Sequence, residues 1–547
     1  MKPKETANIA QAFVDTARDL GEKIAVVEAV TGRTASFAAL NQLADGYARL
    51  FEQRGVRPGD RVMLMVTPSV DFIALTFGLF KVGVTLILID PGMGYKNLLR
   101  CIENVRPDVF VGIPKAYLFT KIFQRPFRTV RLRFCCGNSW GLFGRDIRKA
   151  AQATGPSFSV FQPGEDDLAA IIFTTGSTGP PKGVRYEHSI FAAQLERIRT
   201  FYNIDENHID QPAFPLFGLF SVALGAMIVI PDMDPSRPAL VDPVRFVKSI
   251  SDYEVTYSFG SPAIWNVVSR YCEQQGLVLQ TVKKVLMAGA PVPGELLERT
   301  RNILPDDAEI FTPYGATESL PIVSIESREL LGETLSDSEQ GRGICVGRPL
   351  PGISVRVIDI VEGPIADIGQ ATNVACGEIG EIIVRGNVVT RAYENNAEET
   401  ALAKIADGSG FWHRIGDTGY LDEQNRLWFC GRKAHRVAAR EGMMYTIPCE
   451  AIINKHPEVF RSALVGIPIV GADCEEPVLV IEPISGFQGN EQDLIAEVQN
   501  IARQHTLTAS IQHFLIHHDF PVDIRHNAKI FREKLAVWAE EKLQVNQ

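Results

Sequence analysis

Phe-Thr-Thr-Gly-Ser-Thr-Gly-Pro-Pro-Lys-Gly-Val, residues 173–184, is the first indication of the fold. Hydroxyl side chains and glycine N–H groups can surround an anion, and a lysine adds a mobile positive charge. The residues predicted to hold a polyphosphate are Thr174, Thr175, Gly176, Ser177, Thr178, Gly179 and Lys182. Two prolines precede Lys182, so the segment cannot open a helix as a Walker A loop does. Considered alone, an ordinary polar surface loop remains the alternative.

An apolar run, residues 168–173, comes just before this loop and predicts a buried strand that delivers it to a sheet edge. Similar runs alternate with helix-length segments, at Arg61–Val66, Thr85–Ile89, Val109–Ile113, Ala169–Phe173, Met227–Ile230 and Val282–Met287. This alternation predicts layered α/β sheets with parallel strands. Shorter runs between polar turns predict a small β-rich subdomain with antiparallel pairing over about 352–432. The remaining residues mix short strands with amphipathic helices and predict a small α+β domain, with a boundary near 432–435.

The composition is that of a globular protein of more than one domain: 547 residues, 46% hydrophobic and 22% charged. A net charge of −10 argues against a nucleic-acid partner, although a basic stretch occurs at 125–133 and is interpreted as a solvated face. Nine scattered cysteines and an N-terminus without an apolar core favour the cytoplasm. The apolar run 72–89 is interrupted by Lys81 and Gly83, so a buried helix and strand are expected there, with no transmembrane segment.

Four further motifs follow the phosphate segment in the chain. The first is Tyr314-Gly315-Ala316-Thr317-Glu318, and the second is Gly-Glu-Ile-Gly-Glu-Ile-Ile-Val-Arg-Gly at 377–386. The third is Gly-Asp-Thr-Gly-Tyr-Leu-Asp at 416–422, and the fourth is Gly431-Arg432. In this order they resemble the AMP-forming adenylating enzymes, which include acyl-CoA synthetases, luciferases and peptide synthetase adenylation domains. The resemblance spans nearly the whole chain. It implies an adenylate-forming domain over 1–432, with the β-rich subdomain at about 352–432, and a mobile C-terminal lid domain over 433–547.

The resemblance also implies ATP and Mg²⁺ as cofactors: a carboxylate attacks the α-phosphorus and pyrophosphate leaves. A carboxylate beside the triphosphate would hold Mg²⁺, which prefers oxygen ligands, and this role falls to Glu318. Thr317 would contact the α-phosphate, and Tyr314, with Gly315 and Ala316, would lie against the adenine. Taken alone, this motif is a turn more often than a site.

The rest of the implied site comes from four separate segments. Asp417 would bind the ribose hydroxyls and Arg432 would add a polar contact near them, although an aspartate in such a turn often caps its own backbone. The segment Gly289, Ala290 and Pro291 resembles the adenine-side loop. Lys529 would be the lysine that the lid brings to the α-phosphate in the transition state. Without the resemblance, Lys529 would be interpreted as a solvated lysine.

Several residues depart from the pattern of the family. Ala528 stands where a glycine usually precedes the mobile lysine, and Ala434 stands at the hinge. The following segment, 436–444, differs from the loop that admits a thiol, which argues against thioester formation. Gly218 replaces a histidine and is expected to open room near the carboxylate. The apolar residues around it, 214–227, favour a core helix, with an acyl channel as the alternative.

Within the family, the ending 521–532 most resembles the β-lactone synthetases of bacterial olefin biosynthesis. That resemblance implies adenylation of a long-chain 2-alkyl-3-hydroxy acid, followed by attack of its own 3-hydroxyl to give a β-lactone and AMP. The substrate would then be a long-chain 3-hydroxy acid, and other olefin-pathway enzymes are possible partners. A long-chain acyl-CoA or acyl-AMP ligase is the main alternative. A non-catalytic nucleotide-binding module is a lesser one.

Overall fold

The structure, a computed structural model, describes residues 8–89, 91–153, 155–174, 180–522 and 529–545. The predicted phosphate residues Thr175, Gly176, Ser177, Thr178 and Gly179 lie outside the described residues, as does Ala528. Within the described residues, the fold is mixed α/β, with two large sheets and a small C-terminal sheet. The predicted fold class is confirmed.

A six-stranded sheet carries the phosphate lysine. Its strands, in spatial order, are Leu132–Cys135, Val109–Gly112, Arg61–Met65, Thr85–Leu88, Leu168–Thr174 and Lys182–Glu187. All neighbours are parallel except the last pair. Because the carboxyl ends of parallel strands share one edge of a sheet, the segments that follow the first five strands all begin at that edge.

A second, longer sheet carries the nucleoside motifs. Its spatial order is Ser354–Ile358, Gly380–Arg385, Gly410–Leu421, Leu427–Arg432, Ile344–Pro349, Ser319–Glu326, Glu309–Ala316, Lys284–Met287, Tyr257–Gly260, Ile209–Asp210, Met227–Ile230, Ile24–Glu28 and Thr34–Ser36, with Lys404–Asp407 paired beside Gly410–Leu421. The strands from Glu309–Ala316 to Ile24–Glu28 are parallel, and the other pairs are antiparallel. The β-rich region is therefore antiparallel as predicted, and strand Ile344–Pro349 joins it to the rest of the sheet.

The C-terminal residues form a separate sheet over their own apolar clusters. A hairpin pairs Val437–Ala439 with Gly442–Met444, and the sheet joins Val459–Pro468, Glu475–Pro483 and His513–Ile516. The last helix begins at Arg532. Ile530 is still bridged to Val522, and Phe531 N donates to the Pro521 carbonyl at 2.8 Å, so the chain is extended until that point.

Helices cover the faces of these sheets. The α-helices are Ile9–Asp19, Phe37–Gln53, Val70–Val82, Tyr95–Val105, Pro114–Ile122, Ile147–Ala151, His188–Phe201, Gly218–Ala223, Pro243–Asp252, Pro262–Gln275, Gly294–Asn302, Ser327–Glu329, Leu335–Asp337, Ala397–Ala403, Thr446–Ile453, Glu491–Arg503 and Arg532–Val545. Short 3₁₀ turns are Pro91–Met93, Pro238–Leu240, Ile368–Gln370 and Lys433–His435, and π-helical turns are Leu330–Thr334 and Ser338–Arg342.

The long apolar run is a buried helix followed by a buried strand, as predicted. Every residue of helix Val70–Val82 is buried, and strand Thr85–Leu88 pairs on both sides in the six-stranded sheet. Lys81 is accommodated in this core because its Nζ lies 2.6 Å from Asp45 Oδ1. Among the described residues, no helix is long and apolar enough to cross a membrane.

Candidate active site

The predicted phosphate lysine begins strand Lys182–Glu187, and its direct cross-strand partner is Thr174 at the end of the preceding strand. Lys182 Nζ lies 2.6 Å from Glu399 Oε2. It also lies 5.4 Å from the centre of the Tyr393 ring, within the range of a cation–π contact. The chain itself therefore compensates the charge of this lysine.

The predicted metal ligand, Glu318, lies with Thr317 between the antiparallel strands Glu309–Ala316 and Ser319–Glu326. The Tyr393 hydroxyl donates to Glu318 Oε1 at 2.7 Å. The Glu318 carbonyl accepts from Thr390 N at 2.9 Å and from Thr390 Oγ1 at 3.1 Å. Both the carboxylate and the backbone of Glu318 are thus held by one neighbouring segment.

The same turn depends on a glycine. A Cβ on Gly315 would lie 2.5 Å from the Ser319 carbonyl oxygen, closer than any real side chain can come. The strand pairing is irregular at this point, between Tyr314 and Ala316. The Thr317 carbonyl accepts a hydrogen bond from the Tyr186 hydroxyl, which joins the turn to the strand that begins with Lys182. Gly315 therefore allows the tight return that places Thr317 and Glu318 opposite the phosphate strand.

A buried aspartate lies at the centre of the predicted nucleoside site. The Tyr314 hydroxyl donates to Asp417 Oδ2 at 2.6 Å, and Arg432 Nη1 lies 2.9 Å from Asp417 Oδ1. Asp417 and Arg432 are direct cross-strand partners. Burial raises the pKa of Asp417, and Arg432, the Tyr314 hydrogen bond and Lys529 offset part of that rise. Asp417 Oδ1 is buried, and Arg432 compensates its charge through the ion pair at 2.9 Å.

The predicted mobile lysine contributes to the electrostatics of this nucleoside site. The charge of Lys529 acts on Asp417, 112 positions before it in the chain, and also on His435. Burial, together with the positive charges of Arg532, Arg432 and Lys529, lowers the pKa of His435 to about 3. Lys529 is therefore close enough to Asp417 and His435 for its charge to affect the pKa of each.

The predicted adenine-side loop, Gly289-Ala290-Pro291, follows strand Lys284–Met287 at its carboxyl end. That strand is the parallel neighbour of Glu309–Ala316, which leads into Tyr314. Gly289 has a φ of 102°, a conformation that favours glycine. The loop therefore lies at the same sheet edge as the Tyr314 turn.

Taken together, the described residues offer an ammonium group, a hydrogen-bonded carboxylate and a buried aspartate between a tyrosine and an arginine. Such a set can hold phosphates, a hard cation and vicinal hydroxyls. A family model described as AMP-binding enzyme matches residues 13–394, well over half of the chain. The chain belongs to this family of AMP-binding enzymes.

Individual relatives agree with the family. The chain is 42% identical to an olefin beta-lactone synthetase of Stenotrophomonas maltophilia (strain K279a), over 98% of this chain and 99% of the relative. It is 40% identical to an olefin beta-lactone synthetase of Xanthomonas campestris pv. campestris, over 98% of each chain. ATP-bound MatB from Rhodopseudomonas palustris has the same fold, with a TM-score of 0.77 at 22% identity over 98% of this chain and 100% of that chain. The predicted AMP-forming ligase is confirmed.

Four residues near the site of this AMP-binding enzyme were not predicted: Tyr393, Glu399, Lys404 and His435. Tyr393 and Glu399 contact Lys182. Lys404 Nζ donates to the Thr390 carbonyl, and burial lowers the pKa of Lys404 to about 7. Tyr393 and Glu399 lie more than 200 positions from Lys182, so no local pattern in the sequence indicated these two contacts.

One expectation about the AMP-binding enzyme is wrong. Gly218 was expected to leave open room, but a Cβ built there would lie 3.1 Å from side-chain atoms of both Pro212 and Ile228. Every residue of helix Gly218–Ala223 is buried, and Phe217 stacks on Phe259 at 4.0 Å. This helix is a core element, as the simpler interpretation held, and neighbouring side chains fill the space beside the glycine.

The segment after Arg432, which departs from the family pattern, is held to the β-rich region. Lys433 Nζ lies 3.1 Å from Glu381 Oε2, and Arg436 forms an ion pair with Glu362. Ala434 lies between these two anchors, in the 3₁₀ turn Lys433–His435. The turn that contains Ala434, the predicted hinge, therefore has a charged contact on each side.

Proposed function

We propose that this AMP-forming ligase activates a long-chain 2-alkyl-3-hydroxy acid as its acyl adenylate and then closes it to a β-lactone. The observation that carries the proposal is the 42% and 40% identity to two proteins named olefin beta-lactone synthetase, over nearly the full length of the chain. Family membership alone supports only the adenylating step.

ATP, as the proposed substrate of the first step, fits the chemistry of the described residues. Asp417 is buried beside the positive charge of Arg432, and its carboxylate is the group that we assign to the ribose hydroxyls. Lys182, with its charge now held by Glu399, can exchange that partner for the leaving pyrophosphate. We assign Tyr314, Gly315, Ala316 and the loop Gly289-Ala290-Pro291 to the adenine side.

Mg²⁺ also fits, through a single protein carboxylate. Glu318 presents one such group, oriented by Tyr393. Mg²⁺ is usually held by one or two carboxylates together with phosphate oxygens and waters, so one ligand from the chain is enough. When bound, the ion would neutralise charge on the phosphates, and Thr317 and Glu318 would be the residues beside it.

In the first half-reaction, a substrate carboxylate oxygen bonds to the α-phosphorus, and the bond to pyrophosphate breaks. Negative charge accumulates around that phosphorus, and Lys529 is the residue we assign to stabilise it. In the second, the 3-hydroxyl oxygen bonds to the acyl carbon and loses its proton, and AMP leaves. The nucleophile is already part of the substrate, so proximity replaces a second binding site.

The environment is consistent with these assignments. All nine cysteines are free thiols, which suits a reducing cytoplasm, where we place the reaction. Enzymes that supply the hydroxy acid and consume the lactone are the partners expected from the pathway of the relatives.

The test is a product assay with ATP, Mg²⁺ and the 2-alkyl-3-hydroxy acid, without CoA. AMP should form, and a product lighter than the acid by one water should accumulate in the mass spectrum. The matched control is the same acid without its 3-hydroxyl, which should support pyrophosphate exchange but release AMP slowly. If AMP release requires CoA and a thioester is formed, the chain is instead an acyl-CoA ligase.

A further inference from the structure

Positive charge is concentrated in one part of this acidic chain. Residues 95–150 contain twelve Lys and Arg against three Asp and Glu, while the whole chain has a net charge of −10. Several cations of this segment are exposed and form no ion pair with the described residues: Lys96, Arg100, Lys115, Lys121, Arg145 and Lys149. Their charge is thus available to an external partner.

The same segment exposes large apolar side chains. Trp140 is 89% exposed and Leu142 is 78% exposed, while Tyr95, Leu118 and Ile122 are also exposed. Ring contacts connect the segments that carry these side chains. The ring centres of Tyr95 and Phe119 lie 6.0 Å apart, and Phe119 belongs to the helix that carries Leu118 and Ile122. Phe143, next to Leu142, stacks on Tyr117 of the same helix, with 4.8 Å between the ring centres. We call these five exposed residues and the six cations the basic apolar patch.

A structured turn holds Trp140 outward. Its φ is 54°, in the left-handed region that side chains rarely adopt. Trp140 N donates to Asn138 Oδ1 at 3.0 Å, and Leu142 N donates to the Ser139 carbonyl at 2.9 Å. The next residue, Phe143, turns inward onto Tyr117. The chain therefore packs one aromatic ring of this turn against Tyr117 and displays two apolar side chains.

The basic apolar patch and the phosphate lysine belong to the same sheet. The patch segments begin after strands Thr85–Leu88, Val109–Gly112 and Leu132–Cys135, and strand Leu168–Thr174 leads towards Lys182. These strands are parallel, so their carboxyl ends share one edge. A surface that binds the patch would therefore lie on the side of the sheet from which the phosphate loop leaves.

We propose that the basic apolar patch docks this protein on an anionic lipid surface. Tryptophan and tyrosine favour the level of lipid headgroups, and Leu and Ile side chains gain free energy by entering the acyl region. Lysines and arginines near them are attracted to anionic headgroups. Leucine and isoleucine contribute little to stacking on nucleic-acid bases, so the exposed Leu118, Ile122 and Leu142 favour a lipid surface over a nucleic acid. The proposed binding to lipid is argued from these residues alone. The purpose that we give to it, collection of a long-chain acid from the bilayer, rests on the proposed function.

The first experiment is sedimentation of the full chain with vesicles. We expect binding to phosphatidylcholine vesicles that contain roughly one third phosphatidylglycerol, weaker binding to pure phosphatidylcholine, and release by salt. Replacing both Trp140 and Leu142 by Ser should lower the partition coefficient at least about tenfold. The matched control replaces Leu240 and Val244 by Ser, which are 74% and 53% exposed outside the patch, and should bind as the parent does.

Charge is tested separately, with a test variant and a control variant that change the net charge of the chain by the same amount. Lys115→Glu with Lys121→Glu should weaken binding about tenfold, whereas Lys248→Glu with Lys283→Glu, elsewhere on the surface, should have little effect. Pyrophosphate exchange with a water-soluble acid should be unchanged in all variants, which shows that they fold.

Fluorescence provides a direct readout, because the described tryptophans other than Trp140 are largely buried. Emission should shift to the blue and be quenched by brominated lipids in the parent, but not in Trp140→Phe. Absence of binding to anionic vesicles at low salt would overturn the proposal, as would parent-like binding by the Trp140/Leu142 variant. A concentration-dependent dimer that this variant abolishes would instead assign the patch to a second copy of the chain.

Discussion

At the scale of single residues, the site pairs each of its charges with a group from another part of the chain. Lys182 is held by Glu399, Glu318 by the Tyr393 hydroxyl, and Asp417 by Arg432. A bare buried charge would be costly, so these partners keep the site formed before substrate arrives. When the phosphates bind, Lys182 exchanges Glu399 for a phosphate oxygen. The net free energy of binding is therefore smaller than the new contact alone would supply.

Lys529 lies near this network and is expected to act mainly in the transition state. We expect Lys529→Ala to reduce the rate of ATP–pyrophosphate exchange by on the order of a hundredfold or more, with little change in the KM for ATP. The control is Lys534→Ala, because Lys534 lies on Phe531 at 4.6 Å and is close in the chain. Near-parental exchange by Lys529→Ala would remove this lysine from the mechanism.

Two substitutions distinguish the effect of the charge of Glu318 from the effect of the orientation of its side chain. Glu318→Gln keeps the size of the side chain but removes its charge, so the Mg²⁺ concentration for half-maximal exchange should rise about tenfold or more. Tyr393→Phe removes only the hydroxyl that orients the carboxylate, so it should raise this Mg²⁺ concentration less. An unchanged Mg²⁺ titration of Glu318→Gln would show that Glu318 is not a ligand.

At the scale of elements, strands Gly380–Arg385 and Gly410–Leu421 share a buried ion pair. Arg414 Nη2 lies 2.7 Å from Glu381 Oε2, and both side chains are almost fully buried. The same carboxylate also binds Lys433 of the hinge. Glu381 therefore joins the β-rich region to the segment that leads into the C-terminal residues.

Removing this carboxylate would leave two cations without their partner. We expect Glu381→Gln to lower the free energy of unfolding by about 3–5 kcal/mol, measured from denaturant midpoints. Glu165→Gln, at the exposed pair with Arg391, should cost no more than about 1 kcal/mol. Equal effects of the two substitutions would contradict the assignment of Glu381 as a buried anchor.

The sequence predicted most elements, because apolar runs and turn residues are local signals. Strand Thr85–Leu88 and helix Val70–Val82 needed only their own residues to be identified. Lys182, Glu318 and Asp417 could be proposed as site residues because they lie in short motifs. Tyr393 and Glu399 could not be, since their partners lie far away in the chain. The space expected at Gly218 was wrong for the same reason, as neighbouring side chains fill it.

At the scale of the whole molecule, the central question is whether the C-terminal residues must move between half-reactions. The charge of Lys529 already acts on Asp417, the residue that we assign to the ribose. After adenylation, a thioester-forming enzyme has to admit a second substrate, the thiol. A lactone-forming enzyme does not need a second substrate, because the hydroxyl is part of the first. If our proposed function is correct, the arrangement that adenylates the acid can also serve ring closure.

Fixing the hinge tests this idea. Ala434 lies in a 3₁₀ turn, and proline favours the φ of such a turn, so Ala434→Pro should hold the present conformation. We expect pyrophosphate exchange and lactone formation both to stay within about threefold of the parent. Ala434→Gly, which loosens the same position, is the matched control for a general effect of substitution. A different outcome would contradict this expectation: Ala434→Pro retains exchange but loses lactone formation, while Ala434→Gly retains both. In that case the adenylate forms, but its conversion needs a hinge conformation that proline forbids. Rotation of the C-terminal domain would then be required for ring closure.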